Sequence, residues 1–283
     1  MDEAALLAAI AARPADDTPR LVYADWLDDH DQPARAEFIR VQCEVARIDG
    51  LPSAEAQGYA DLYRRQDALF AGQRRALLGP LAADLGPHDV TFDRGFITEI
   101  GLTDAAFVAH ADRLAALAPP PDVSVTAAAP TERFLRSSHV GLVTGLRWES
   151  TAIDPAEVQL NIPPPREIWS RLRVLNVTGC GIDDFGLTAL ADHADTKYPA
   201  LTDLDVSWNE IGDDGVRALV ESPLWPRLRV LVIGSNPISD EGAAALADAP
   251  PTALQYLNVS RTGITSVGQQ RLLRRKGWKV DLF

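Results

Sequence analysis

The chain has 283 residues and 46% hydrophobic content, enough for a substantial core in one elongated domain or two compact ones. A formal net charge of −13 and a pI near 4.8 argue against general nucleic-acid binding and against docking on anionic membranes, since phosphate would repel such a surface. Two distant cysteines without a C-x-x-C, Cys43 and Cys180, point to free thiols in a reducing compartment, and no apolar run approaches the about 18 residues of a membrane span.

The N-terminus, MDEAALLAAIAARP, starts acidic and does not read as a secretory signal, so the expected location is the cytoplasm. Residues 3–13 predict a short helix, amphipathic or fully buried, with Leu6, Leu7 and Ile10 inward. Pro14 ends it, and Asp16-Asp17-Thr18-Pro19 starts the next helical pattern over 20–30. There Leu21, Ala24, Trp26 and Leu27 can pack, while Asp25, Asp28 and Asp29 stay wet. After the break at Asp31-Gln32-Pro33, residues 34–49 predict a third helix with Phe38, Ile39, Gln42 and Val45 along one side.

The stretch R-L-V-Y-A-D-W-L (20–27) followed by R-A-E-F-I-R-x-Q (35–42) resembles the repeat-companion domain, a short helical module found in large paralogous sets in some bacteria, often ahead of repeats. That resemblance covers about 45 residues and implies architecture. The family carries no established activity.

Residues 51–89 read as a connecting helix, with Leu62, Leu69, Phe70, Leu77 and Leu78 at helical spacing and a break at Gly72 or at Gly79-Pro80. From Val90 the period becomes that of strands: VTFD and FITEIGL flank Arg94-Gly95, a hairpin turn or a bulge. A helix capped by Thr103 or Asp104 follows, then a strand at Val123–Val125 and a short helix over 131–139. Residues 143–154 resemble a weak repeat with Val143, Leu146, Trp148 and Ile153 in frame. Pro155 and the proline run at 163–165 end it. Residues 90–171 are expected to be degenerate N-terminal repeats that cap a stack, with a separate small α/β domain as the competing reading.

Four copies then begin at Leu172, Leu201, Leu228 and Leu254, with offsets of 29, 27 and 26 residues. Leucine recurs at Leu175, Leu204, Leu231 and Leu257, an aliphatic at Val177, Val206, Ile233 and Val259, and isoleucine at Ile182, Ile211, Ile238 and Ile264. Position nine is Cys180, Asn209, Asn236 and Thr262, and glycine returns at Gly186, Gly215, Gly242 and Gly268. This pattern is the leucine-rich repeat signature, and the copies resemble the ribonuclease-inhibitor-like subclass. The resemblance implies an α/β solenoid over 172–283, parallel strands on the concave side and helices on the convex side, behind an all-α N-terminal domain at 1–50. Asp184, Asp213, Asp240 and Ser266 read as helix N-caps, and the asparagines as satisfying backbone groups where the chain leaves each strand. Trp278, Val280, Leu282 and Phe283 are expected to form a closing strand. The cations Arg271, Arg274, Arg275, Lys276 and Lys279 suit a helix C-terminus or, alternatively, an acidic partner.

Catalytic signatures are absent. The five histidines are scattered without H-x-x-x-H, and there is no phosphate loop, G-x-G-x-x-G or G-x-S-x-G. Cys43 and Cys180 read as buried structural thiols, and the aspartates at 25–31 lack calcium-loop spacing. No metal or cofactor is expected, and the chain reads as a non-enzymatic protein-binding scaffold of a bacterial regulatory or defence system. Its candidate binding face comprises the outward positions Arg147, Glu149, Asn176, Asp203, Asp205, Ser207, Trp208, Val232, Tyr256 and Asn258. The expected partner is a protein, neither nucleic acid nor membrane, with a protease or other effector enzyme among the candidates. Two rivals stand beside this. One is a substrate or regulatory subunit of a partner enzyme such as a protease, exposing 51–88, 118–131 and 160–166. The other is an enzyme in residues 1–90 with Asp25, Arg35, Glu37 and Arg40 in one pocket.

Overall fold

The computed structural model of the chain describes residues 2–48, 59–86, 89–127, 131–148 and 169–282. Expectations for Glu149, Ile153, the prolines at 155 and 163–165, and Phe283 lie outside them, as do parts of each segment invoked for a protease partner. The chain divides into two compact units, residues 1–102 with 109–122, and residues 103–108 with 123–283.

In the first unit, α1 (Glu3–Ala12), α2 (Asp17–Asp28) and α3 (Pro33–Ile48) start where the sequence supplies caps and proline. Asp2 accepts from Ala5 N at 2.7 Å and Asp16 from Thr18 N at 2.9 Å. The core joins Leu6, Ile10, Tyr23, Ala24, Leu27, Ala36, Ile39 and Cys43 with Phe96. Leu21 and Trp26, expected inside, are only partly buried. Their places are taken by Tyr23, whose hydroxyl donates to Glu3 at 2.7 Å, and by Arg20, whose guanidinium lies 5.8 Å from the Phe96 ring centroid. Arg40 bridges Asp25 and Asp28 at 2.7 Å each.

Helix α4 (Ala60–Leu78) follows, and it ends at Gly79-Pro80 in a 3₁₀ turn over Gly79–Ala83. Gly79 has φ +56°, which favours glycine there. Phe92 meets Phe70 of α4 and Phe38 of α3 edge-on, with centroids 5.1 and 5.7 Å apart. Strands β1 (Val90–Asp93) and β2 (Phe96–Thr103) form an antiparallel hairpin with a register shift between Thr91 and Phe92. Its turn, Arg94-Gly95, has both residues at positive φ, 49° and 83°. The stretch to Leu102, expected within the degenerate repeats, thus belongs to the first compact unit. Helix α5 (Asp104–Ala115) begins with Thr103 Oγ1 accepting from Ala106 N at 3.2 Å, and is divided between the units at Val108.

In the second unit, β3 (Asp122–Ala127), β4 (Val143–Trp148), β5 (Val174–Asn176), β6 (Asp203–Asp205), β7 (Val230–Val232), β8 (Tyr256–Asn258) and β9 (Lys279–Asp281) pair in sequence order, each parallel to the next. Leu146, Leu175, Leu204, Leu231, Leu257 and Val280 lie in register, so one apolar row runs through the sheet. Burying one leucine is worth about 1.5–3 kcal/mol, and the row repeats that gain at each strand. The intervening helices are α6 (Glu132–Leu135), α7 (Asp184–Asp192), α8 (Ala194–Lys197), α9 (Asp213–Glu221), α10 (Asp240–Asp248) and α11 (Ser266–Leu273). Their inward residues, among them Leu187, Leu190, Val216, Leu219, Leu246 and Leu272, are buried. No helix among the described residues is long and apolar enough to cross a membrane.

Candidate functional site

Outward side chains alternate with the buried leucine row. The register places them in two lines across the strands. One line runs Ser124, Gly145, Val174, Asp203, Val230, Tyr256, Lys279, and the other Thr126, Arg147, Asn176, Asp205, Val232, Asn258, Asp281. Seven of the ten expected face residues therefore share one surface: Arg147, Asn176, Asp203, Asp205, Val232, Tyr256 and Asn258. Ser207 and Trp208 lie just past β6, and Glu149 is outside the described residues. A groove of about 320 Å³ is sunk into this surface, with Arg147, Val174, Asn176, Asp203, Asp205 and Val232 in its walls.

The strand exits are held by buried asparagines. Asn209 Nδ2 donates to the carbonyls of Val177, Val206 and Ser207 at 3.0, 2.9 and 3.1 Å, and its Oδ1 accepts from Ile182 N at 3.0 Å. Asn236 repeats this one repeat later. One amide thus satisfies backbone groups of two repeats and fixes the spacing of the strands that carry the face.

On the face, Asp205 accepts from Asn176 Nδ2 at 2.9 Å, Ser207 N at 3.0 Å and Ser207 Oγ at 2.6 Å. Ser207 is thereby engaged within its own turn. Asp203 accepts from Thr202 Oγ1. All these donors are neutral, and among the described residues neither carboxylate takes part in an ion pair. Further along, Tyr256 OH and Asn258 Nδ2 both reach Asp281, at 3.3 and 3.4 Å.

Trp208 is 58% exposed and sits at φ +57°. Gly179, Ser235 and Arg261 occupy the same place in their repeats, with φ of 68°, 55° and 55°. A left-handed residue is thus part of each strand-exit turn, and only Gly179 meets it without steric cost. The Arg261 guanidinium lies 5.6 Å from the Trp208 ring centroid, a cation–π contact that holds the indole in place. Sequence reasoning chose Trp208 but missed Arg261, although both stand eight residues into their copies.

The helix starts require a correction. Asp184, Asp213, Asp240 and Ser266 are the first helical residues, and the N-caps are the residues before them: Asp183, Gly212, Ser239 and Thr265. The three aspartates have another task. Asp184 accepts from Gly212 N at 2.6 Å. Asp213 accepts from Ser239 N, Ser239 Oγ and Gly242 N at 2.9, 2.6 and 2.8 Å, and Asp240 from Thr265 N, Thr265 Oγ1 and Gly268 N at 2.8, 2.6 and 3.2 Å. Each repeat's aspartate completes the next repeat's helix N-terminus. The recurring glycine is explained by the same contact, since a Cβ on Gly215 or Gly242 would lie 2.5 Å from the preceding aspartate's Oδ1.

Partial burial pushes the Asp213 carboxyl up, but the Ser239 and Gly242 hydrogen bonds outweigh it and hold it below its ordinary value of 3.8. Its contribution to stability is therefore complete above about pH 3.8 and fades as the pH falls through the lower folded-state value. Asp213→Asn is expected to cost about 1 kcal/mol near pH 7. The gap to the parent should narrow in urea melts taken through that acid window. A gap of constant size would refute the charge-assisted role.

Of the four residues considered for catalysis, only Asp25 and Arg40 meet, as an ion pair, and the others find different partners. Arg40 pairs with Asp25 and Asp28, Glu37 accepts from Arg65 Nε at 2.8 Å, and Arg35 lies 5.7 Å from the Phe96 ring. Among the described residues no group of three or more His, Cys, Asp or Glu is placed to hold a metal. Cys43 and Cys180 are buried free thiols, and burial pushes Cys43 up to about 11, away from thiolate chemistry.

A family model described as leucine-rich repeat matches residues 171–191, 199–220 and 227–247. No curated protein matches the chain. Among solved structures, an internalin (inlF) from Listeria monocytogenes aligns at 16% identity and a TM-score of 0.35, over 58% of this chain and 54% of that one, so the chain spans about half the internalin's length. Leucine-rich repeats typically mediate protein–protein contacts, and this chain carries them in the three matched segments.

Proposed function

We propose that the protein is a non-enzymatic binding module: a leucine-rich-repeat solenoid whose concave strand face holds a partner protein, behind a helical repeat-companion domain. In this reading it works in the cytoplasm of a bacterium as the recognition or scaffold subunit of a regulatory or defence system. The observation that carries the reading is Trp208, a largely exposed indole kept at a left-handed backbone position and braced by Arg261 at the margin of the face. Tryptophan and arginine are among the side chains that dominate interface energetics. A face preformed by the asparagine turns binds without an ordering cost.

Trp208→Gly separates binding from folding. Glycine relieves a left-handed penalty of roughly 1–2 kcal/mol, while the freer unfolded chain and the lost Arg261 contact return about the same amount. The variant should melt within about 1 kcal/mol of the parent yet retain its native-cell partner at least tenfold less well, since hot-spot truncations cost about 2 kcal/mol or more. Equal recovery of the partner by variant and parent would remove Trp208 from the binding surface.

A further inference from the structure

The groove is patterned in charge across the strands. Arg147 stands on β4, Val174 on β5, Asp203 and Asp205 on β6, and Val230 and Val232 on β7. Val174 is 46% exposed although it is a large aliphatic in mid-sheet. Gly145 beside it is buried, and Ser124 fills the place of a side chain there, since a Cβ would stand 2.7 Å from Ser124 Oγ. Among the described residues the two β6 carboxylates accept only from neutral donors, and they face the groove. Opposite charges thus lie two strands apart, with Val174 and Asn176 on the strand between them and an aliphatic pair, Val230 and Val232, beyond.

We propose that this groove takes an extended segment of a partner protein that crosses the strands, with an acidic side chain for Arg147 and a basic one for Asp203 and Asp205 about three residues apart. This deepens the binding-face reading and rests on it. The spacing follows from geometry. Strands lie about 4.8 Å apart, so β4 and β6 are about 10 Å apart, which an extended chain covers in roughly three residues. An aliphatic residue between the two charges meets Val174, and one beyond the basic residue meets Val230 and Val232. The chain's net charge of −13 draws the basic residue in from a distance. The paired carboxylates also favour arginine, whose planar fork can engage two acceptors.

The test is selection of a random dodecapeptide display library on the full chain, followed by affinities of the winners for the parent, Val174→Gln, Asp203→Asn and Asp203→Asn with Asp205→Asn. Val174 is exposed and asparagine keeps the shape of aspartate, and melting curves verify that each variant folds. The expected winners carry an acidic and a basic residue two to four positions apart. They bind Val174→Gln more weakly, lose at least tenfold on the double asparagine variant, and lose as much when their own basic residue becomes glutamine. Winners that depend on Val174 but lack the charge pair, or ignore the asparagine changes, overturn this proposal and leave the face as a binding surface. Winners indifferent to Val174→Gln, or no winners, overturn both.

Discussion

Asn236→Ala is expected to lower stability by about 3 kcal/mol, one of the two largest single-site losses predicted for this chain. Asn236 is 4% exposed and makes four hydrogen bonds: Nδ2 to the carbonyls of Val206, Ile233 and Gly234, and Oδ1 from Ile211 N. Alanine leaves the Ile211 N–H without that acceptor in a buried turn and opens a small void. A stranded buried donor alone costs about 1–3 kcal/mol, and the cavity adds to it. Thr262, at the same repeat position, makes a single such bond, to Val259 O at 2.8 Å, so Thr262→Ala should cost about 1 kcal/mol. Urea melts of both variants give the comparison. Equal losses would mean that the asparagine turn does not couple neighbouring repeats.

The second large loss lies in the first unit. Gly95→Ala should destabilise by about 3 kcal/mol or more, from two separate causes. Gly95 has φ +83°, which costs a side-chain-bearing residue about 1–2 kcal/mol. A Cβ there would also stand 2.7 Å from the Cα of Ile39 in α3, and a backbone atom in a helix does not step aside. Overpacking of this kind costs about 1–3 kcal/mol. The hairpin would be levered off α3, and the bond from Gly95 N to the buried Gln42 Oε1, now 2.6 Å, would lengthen. Hydrogen exchange should then rise in α3 and the hairpin while α9 and α10 keep their protection. Unchanged exchange in α3 would argue that Gly95 is not wedged against it.

Periodic features were legible in the chain. Leucines at fixed offsets set the strand frame, and period-two alternation then put Arg147, Asn176, Asp205, Val232 and Asn258 in one line, as the register has them. The frame reaches back to Leu146, opposite Leu175. The helix starts were placed one residue late because Asp183-Asp184, Ser239-Asp240 and Thr265-Ser266 each offer two good capping residues, and local pattern does not rank them. The choice is made by the neighbouring repeat, whose donors lie 25 to 29 residues away. Arg20 and Tyr23 are core residues that local pattern did not single out, because Phe96, far off in sequence, gives both the surface to pack on. Gly145 carried no signal at all, since the Ser124 hydroxyl that takes the place of its Cβ comes from the neighbouring strand.

The aspartate bridges run one way: each repeat completes the one after it, never the one before. The sheet is therefore a directional assembly, in which an internal repeat could be excised or duplicated with its junctions preserved, because Asp184 would meet Ser239 as Asp213 does. Reversing the order of two dissimilar repeats would not preserve them. Ser266 stands where the aspartates stood and has no carboxylate to pass on, so a helical repeat grafted after it would open on unsatisfied amides until that serine was made acidic. Lengthening the array from its last repeat thus starts with one residue.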